Sequence, residues 1–160
     1  MDLILQELSA TLPSLPELVR VFVGLLAALA VGALVGYDRE RVGKSAGLRT
    51  HMLVSLGTAL FVISALEFDM AEDAVSRVIQ GVITGIGFLG AGVILKVQAE
   101  REIRGLTTSA GIWMTAAASV AIGLGQIGVG VIAALLAWVV LAALKKLEVR
   151  TKPTAPHDDA

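Results

Sequence analysis

The stretch Leu18–Tyr37, LVRVFVGLLAALAVGALVGY, runs for twenty residues with a single charge, Arg20, near its start. A helix of that length rises 1.5 Å per residue and so crosses a hydrocarbon core of about 30 Å. The stretch has no alternation of apolar and polar residues, which argues against a barrel strand. A helix, which pairs its backbone groups within its own segment, is the remaining way to span lipid. Four more apolar runs follow, at Leu48–Leu66, Val78–Val97, Leu106–Ile122 and Ile127–Leu144. The expected fold is therefore all-α: a polytopic bundle of about five transmembrane helices over residues 1–146, with a short tail at 147–160.

Composition supports this class. With 56% hydrophobic residues, 17% charged residues and a mean hydropathy of +0.80, 160 residues cannot cover a soluble domain with polar surface. The Lys/Arg distribution gives an orientation. Arg39, Arg41, Lys44 and Arg49 follow the first run, Lys96, Arg101 and Arg104 follow the third, and Lys145, Lys146, Arg150 and Lys152 close the chain. These are eleven of the thirteen basic residues. The N-terminal segment and the loop after the second run hold Asp2, Glu7, Glu17, Glu67, Asp69, Glu72 and Asp73 against Arg20 and Arg77. The positive-inside rule then puts the N-terminus outside and the C-terminus in the cytoplasm.

Several chemistries are disfavoured. Cysteine is absent, which removes disulfides, iron–sulfur centres and thiol nucleophiles, and two histidines, His51 and His157, are thin material for zinc. A net charge of −1 argues against a nucleic-acid surface. No basic region or small-residue cleavage site precedes the first run, so a retained helix is expected there, begun by Ser14-Leu15-Pro16-Glu17 as a capping box with proline in the first turn. The tail Thr151–Ala160 reads as disordered.

The third run carries Gly81, Gly85, Gly87, Gly90 and Gly92, each costing a helix roughly 1 kcal/mol against alanine. Close helix packing on two faces would offset that cost, which makes this the expected central helix and Gly85→Leu more disruptive than Gly128→Leu. Local unwinding around a cavity is the second reading. Gly85-Ile86-Gly87-Phe88-Leu89-Gly90 matches the letters of a dinucleotide fingerprint, but it lies inside an apolar run and not between a strand and a helix. Gln80 and Thr84, the polar residues of this run, are expected to bond across helices.

Polar residues gather at the cytoplasmic ends. In Asp38-Arg39-Glu40-Arg41 the charges alternate. As a solvated loop they set topology; continued as helix, Asp38 can pair with Arg41, leaving Glu40 to meet Arg49 or Arg104. Asp38 and Glu40 would also suit a hydrated Mg²⁺, which takes one or two carboxylates. The apolar part of the second run, Met52–Leu66, is short, so Arg49, Thr50 and His51 fall near the interface, where Arg49 can snorkel and His51 can sense protons. Thr107, Thr108 and Ser109 are placed to cap the fourth helix. A nucleophile–base pair would have to be His51 with Thr50 or Ser55, weak grounds for an enzyme.

At Gly32-Ala33-Leu34-Val35-Gly36-Tyr37-Asp38-Arg39-Glu40, Gly47-Leu48-Arg49-Thr50-His51, Gly85-Ile86-Gly87-Phe88-Leu89-Gly90-Ala91-Gly92 and Arg104-Gly105-Leu106-Thr107-Thr108 the chain resembles the MgtC/SapB family of bacterial membrane proteins. The resemblance runs from about Val31 to Ile122, with Asp38 where relatives often have Glu. It implies a multi-pass protein of the bacterial inner membrane linked to magnesium limitation and, in some relatives, to survival inside host cells. It also implies regulation of other membrane proteins, the F-type ATP synthase among them. Some members carry a further cytoplasmic domain after the bundle.

The function expected is thus magnesium or ion homeostasis, by a regulator or sensor and not an enzyme; the alternative is a small carrier. No cofactor is called for beyond Mg²⁺ as ligand or substrate. The expected partners are the bilayer, another membrane protein and a second copy of the chain. A reporter fused after Lys146 should be cytoplasmic and one at the N-terminus external; an external signal after Lys146 would overturn both the orientation and the five spans.

Overall fold

The computed structural model describes residues 14–97 and 102–151. Five helices account for nearly all of them: α1 (Leu15–Arg41), α2 (Leu48–Glu67), α3 (Glu72–Val93), α4 (Leu106–Gly123) and α5 (Ile127–Thr151). The first four are long and apolar enough to cross a membrane, and α5 has its apolar stretch at Ile127–Ala142. Between α3 and α4 lies a two-stranded antiparallel ribbon, β1 (Leu95–Val97) with β2 (Glu102–Arg104), which the sequence reading did not anticipate. Asp2, Glu7, Arg101, Lys152 and His157, which entered the charge and tail readings, lie outside the described residues.

Helix boundaries follow local chemistry. At the start of α1 the Ser14 N–H donates to Glu17 Oε2 at 2.7 Å, so the expected capping box forms, with Pro16 in the first turn. Helix α3 begins earlier than its apolar run because Glu72 and Asp73 favour the positive end of a helix, and it ends at Val93, where the ribbon begins. Helix α5 continues through Thr151, beyond the boundary drawn at residue 146.

The organising helix is α4, which packs against all four others, while α1 and α2 form the closest pair. Half of the apolar window of α4 is buried, against 17% for α3. One core cluster joins Ala28, Val31, Val35, Ala59, Ile63, Ala118, Ile122 and Ala134; a second joins Ala46, Ile86, Ile112 and Ala116. The expectation of a central third helix is therefore corrected: α3 lies at the edge, burying only Val75, Ile86 and Gly90.

The glycine reading changes with it. A Cβ added at Gly81, Gly85, Gly87 or Gly92 would meet nothing within 4 Å, and the same is true of Gly128; Gly90 alone of the five in α3 has a close neighbour, the Ser109 hydroxyl. The close approach is made by α1. A Cβ at Gly32 would lie 2.7 Å from the His51 carbonyl oxygen, and one at Gly36 2.8 Å from Leu48 Cα, both backbone atoms that cannot turn aside. These two glycines are four apart, on one face of α1, and let α2 lie directly against it.

Gly36→Leu or Gly32→Leu should remove most of the monodisperse protein recovered in detergent, whereas Gly85→Leu should stay within about twofold of the parent, because a Cβ at Gly85 meets no other part of the chain within 4 Å. Equal losses at Gly36 and Gly85 in size-exclusion profiles would contradict this packing.

Candidate functional site

Two polar stripes face each other inside the bundle. Helix α2 presents His51, Ser55 and Thr58, and α4 presents Thr108, Thr115 and Ser119, all buried. The spacing of four between His51 and Ser55, and between Thr115 and Ser119, keeps each pair on one face. They meet as two rungs one turn apart: His51 Nδ1 lies 2.8 Å from Thr115 Oγ1, and Ser55 Oγ lies 2.6 Å from Ser119 Oγ. Ser55 Oγ also lies 2.5 Å from the Ala28 carbonyl of α1, and Ser119 Oγ 2.7 Å from the Thr115 carbonyl, so two hydroxyl protons serve these three oxygen contacts. In hydrocarbon an unmade hydrogen bond costs several kcal/mol, so this seam ties α1, α2 and α4 in a fixed register.

The network assigns the histidine tautomer. Thr115 has one hydroxyl proton and donates it to the Gly111 carbonyl at 2.9 Å. It must then accept from His51 Nδ1–H, which leaves Nε2 with a bare lone pair. His51 is fully buried, and Nε2 is the one buried side-chain nitrogen or oxygen among the described residues without a hydrogen-bond partner.

At the C-terminal end of α1 the guanidinium of Arg39 is also buried, 2% exposed. Its Nε donates to Asp38 Oδ2 at 3.1 Å, its Nη2 donates to the same carboxylate oxygen, and Nη2 also donates to the Leu141 carbonyl of α5 at 2.8 Å. Asp38 is part-exposed, its side chain 21% accessible. At the opposite end Arg20 and Glu67 form an exposed ion pair at 3.0 Å on the rim of a cavity of about 610 Å³, whose lining includes Gly24, Ile63, Ile122 and Ile127.

The expected charge cluster takes a different form. Asp38 pairs with its neighbour Arg39 and not with Arg41, which is exposed. Glu40 accepts the Leu48 N–H at 2.6 Å and thereby satisfies the first turn of α2. Asp38 and Glu40 stand two apart on a helix, about 200° around, so they do not face one ion together. Among the described residues no three His, Asp or Glu side chains gather as a metal site. Arg49 and Thr50 are exposed while His51 is buried, because adjacent helical positions diverge by about 100°. Arg104 is exposed at the end of β2.

Two further assignments are corrected. Thr107, Thr108 and Ser109 do not cap α4: the N-cap is Gly105, at φ +96°, with Thr107 exposed and Thr108 buried inside the helix. A side chain at Gly105 would strike the Val93 carbonyl, which the ribbon brings against it, so glycine is required. In α3 the Thr84 hydroxyl donates to the Gln80 carbonyl of its own helix at 2.9 Å instead of reaching a neighbour.

The profile of the MgtC family matches residues 25–150, which takes in the whole seam and the Arg39 end. The chain belongs to the MgtC family. It is 42% identical to SrpB of Synechococcus elongatus over 78% of this chain and 74% of that protein. Its identity to YhiD of Escherichia coli K12, provisionally named a magnesium transporter, is 41% over 79% of this chain and 60% of that one. To MgtC of Salmonella typhimurium it is 43% over 64% of this chain and 42% of that protein. No solved structure matches.

The sequence reading found His51, Arg39 and Thr108 but passed over Thr58, Thr115 and Ser119 as ordinary span residues. The signal was present in the matched four-residue spacings on two apolar helices. Thr115→Val and His51→Leu should each destabilise the bundle, and a double-mutant cycle in bicelles should return a coupling of about 1 kcal/mol. Additive losses would mean that the rung carries no interaction.

Proposed function

We propose that this MgtC-family chain is a multi-pass protein of the bacterial inner membrane that serves magnesium homeostasis as a sensor or regulator of another membrane protein, without enzymatic activity. The names of YhiD and of MgtC-family relatives support the coarse statement, a membrane protein of magnesium homeostasis. The observation that favours a regulator over a carrier is the charge of the interior. Among the described residues the one buried formal charge is the guanidinium of Arg39, and the rest of the polar seam is hydroxyls and an imidazole. A divalent cation crossing this interior would meet a fixed positive charge in low dielectric and hydroxyls already engaged with carbonyls.

The same geometry speaks against hydrolysis by the pairs His51–Thr50 and His51–Ser55. Thr50 is exposed away from His51, and Ser55 is bonded to Ala28 and Ser119 deep in the bundle. A protein partner is supported by the outer face of α3, where Gln80, Gly81, Thr84 and Gly85 are exposed. Small and polar residues suit a neighbouring helix better than acyl chains. The F-type ATP synthase, supplied by the family resemblance, and a second copy of the chain are the two partners to test.

Radiotracer Mg²⁺ uptake into proteoliposomes of the purified chain should not exceed that of protein-free vesicles, while the chain should restore growth of a sensitive strain at low magnesium. Saturable uptake above the control would establish the carrier reading instead.

A further inference from the structure

The unpartnered lone pair of His51 and the buried guanidinium of Arg39 belong to one locality. Arg39 lies one turn beyond Gly36, whose Cβ position would be 2.9 Å from His51 Cβ. A Cβ at Gly111 would lie 3.6 Å from His51 Cε1 and 3.7 Å from Leu141 Cδ1, and Leu141 is the residue whose carbonyl accepts from Arg39 Nη2. Leu141 thus links the two groups: its carbonyl takes Arg39 Nη2, and its side chain approaches Gly111, the residue beside the Cε1 corner of the His51 ring. An arginine has five N–H donors in a planar fork, and a charged donor makes the stronger hydrogen bond to an imidazole nitrogen. In this structure the fork is turned toward Asp38.

We propose that Arg39 is a two-position relay: paired with Asp38 in the resting state, its guanidinium moves to donate to His51 Nε2 when the Asp38 carboxylate is neutralised by a divalent cation from the aqueous side. The proposal rests on the sensing role above only for what sets the relay in motion. Asp38 is the part-exposed member and can be reached by a hydrated cation, whereas Arg39 and His51 are shut away from water. Exchange changes the side chain of Arg39 and leaves the seam intact, because Nδ1 keeps its bond to Thr115. It carries a signal from the membrane surface into the contact of α1 with α2, α4 and α5, where the Leu141 bond is remade or lost.

The test is imidazole ¹⁵N NMR of the full chain in nanodiscs, with His157→Ala in the background so that His51 alone is read. In the parent, Nε2 should resonate as a free acceptor. In Asp38→Asn, and in Asp38→Ser as a second neutral variant should the first not stay folded, it should move upfield as a hydrogen-bonded acceptor, and Arg39→Gln added to either should restore the parent position. An unmoved Nε2, or a movement that survives Arg39→Gln, would overturn the relay. Titrating the parent with MgCl₂ against NaCl at matched ionic strength separates the two ideas. The same upfield movement with Mg²⁺ supports both; movement in the Asp38 variants but not with Mg²⁺ keeps the relay and overturns magnesium sensing; movement in neither overturns the relay.

Discussion

Hydrocarbon offers a hydroxyl or an imidazole no water to bond with, and that constraint shapes the centre of this bundle. Ser55 and Ser119 meet each other, Ser55 meets the Ala28 carbonyl, and His51 Nδ1 meets Thr115, so these contacts form only when α1 and α4 stand at one particular height beside α2. Sliding α4 along α2 by a single residue, about 1.5 Å, would stretch both rungs together. Hydrophobic matching cannot set such a register in lipid, because every apolar surface is equally content against an acyl chain. The seam therefore supplies the specificity, and the contacts of Ala59, Val62, Ile112 and Ala116 around it supply close packing.

Other features follow from holding the three helices this close. Gly32 and Gly36 are required on α1 because the His51 carbonyl and the Leu48 backbone occupy the space a Cβ would need. Gly123 plays the same part between α4 and α2, where a Cβ would lie 2.7 Å from Val62 Cβ. Arg39 closes the seam at one end and pins α5 through the Leu141 carbonyl. Helix α3 shares no rung, packs chiefly on α4 and α2, and is left with a broad outward surface.

Membrane class, helix number and the starts of α1, α2, α4 and α5 were legible in the sequence to within a few residues, because apolar length and charged loops report directly on the cost of crossing a bilayer. The arrangement of the helices was not. Glycine density pointed to α3 as the centre, yet a glycine says only that space is needed or tolerated, and which of the two depends on neighbours that spacing alone does not name. The pair Gly32 and Gly36 carried the true contact in a stretch quoted for its family resemblance. Likewise Asp38 and Glu40 were legible as charged and near the aqueous end, but their partners, Arg39 and the Leu48 amide, are set by where α1 stops and α2 starts. Thr115 and Ser119 were overlooked because a hydroxyl in a span reads as neutral filler until the opposing helix is known.

The chain contains no cysteine, so engineered pairs report without background. Disulfide formation in native membranes between Ser55→Cys and Ser119→Cys tests the seam most directly, since a disulfide forms only when Cβ atoms come within about 3.5–4.5 Å. Efficient oxidation is expected of that pair, and little of Ser55→Cys with Ala116→Cys or with Gly81→Cys. Efficient cross-linking of either of the latter pairs, with the 55–119 pair unreactive, would contradict the register on which the whole arrangement depends.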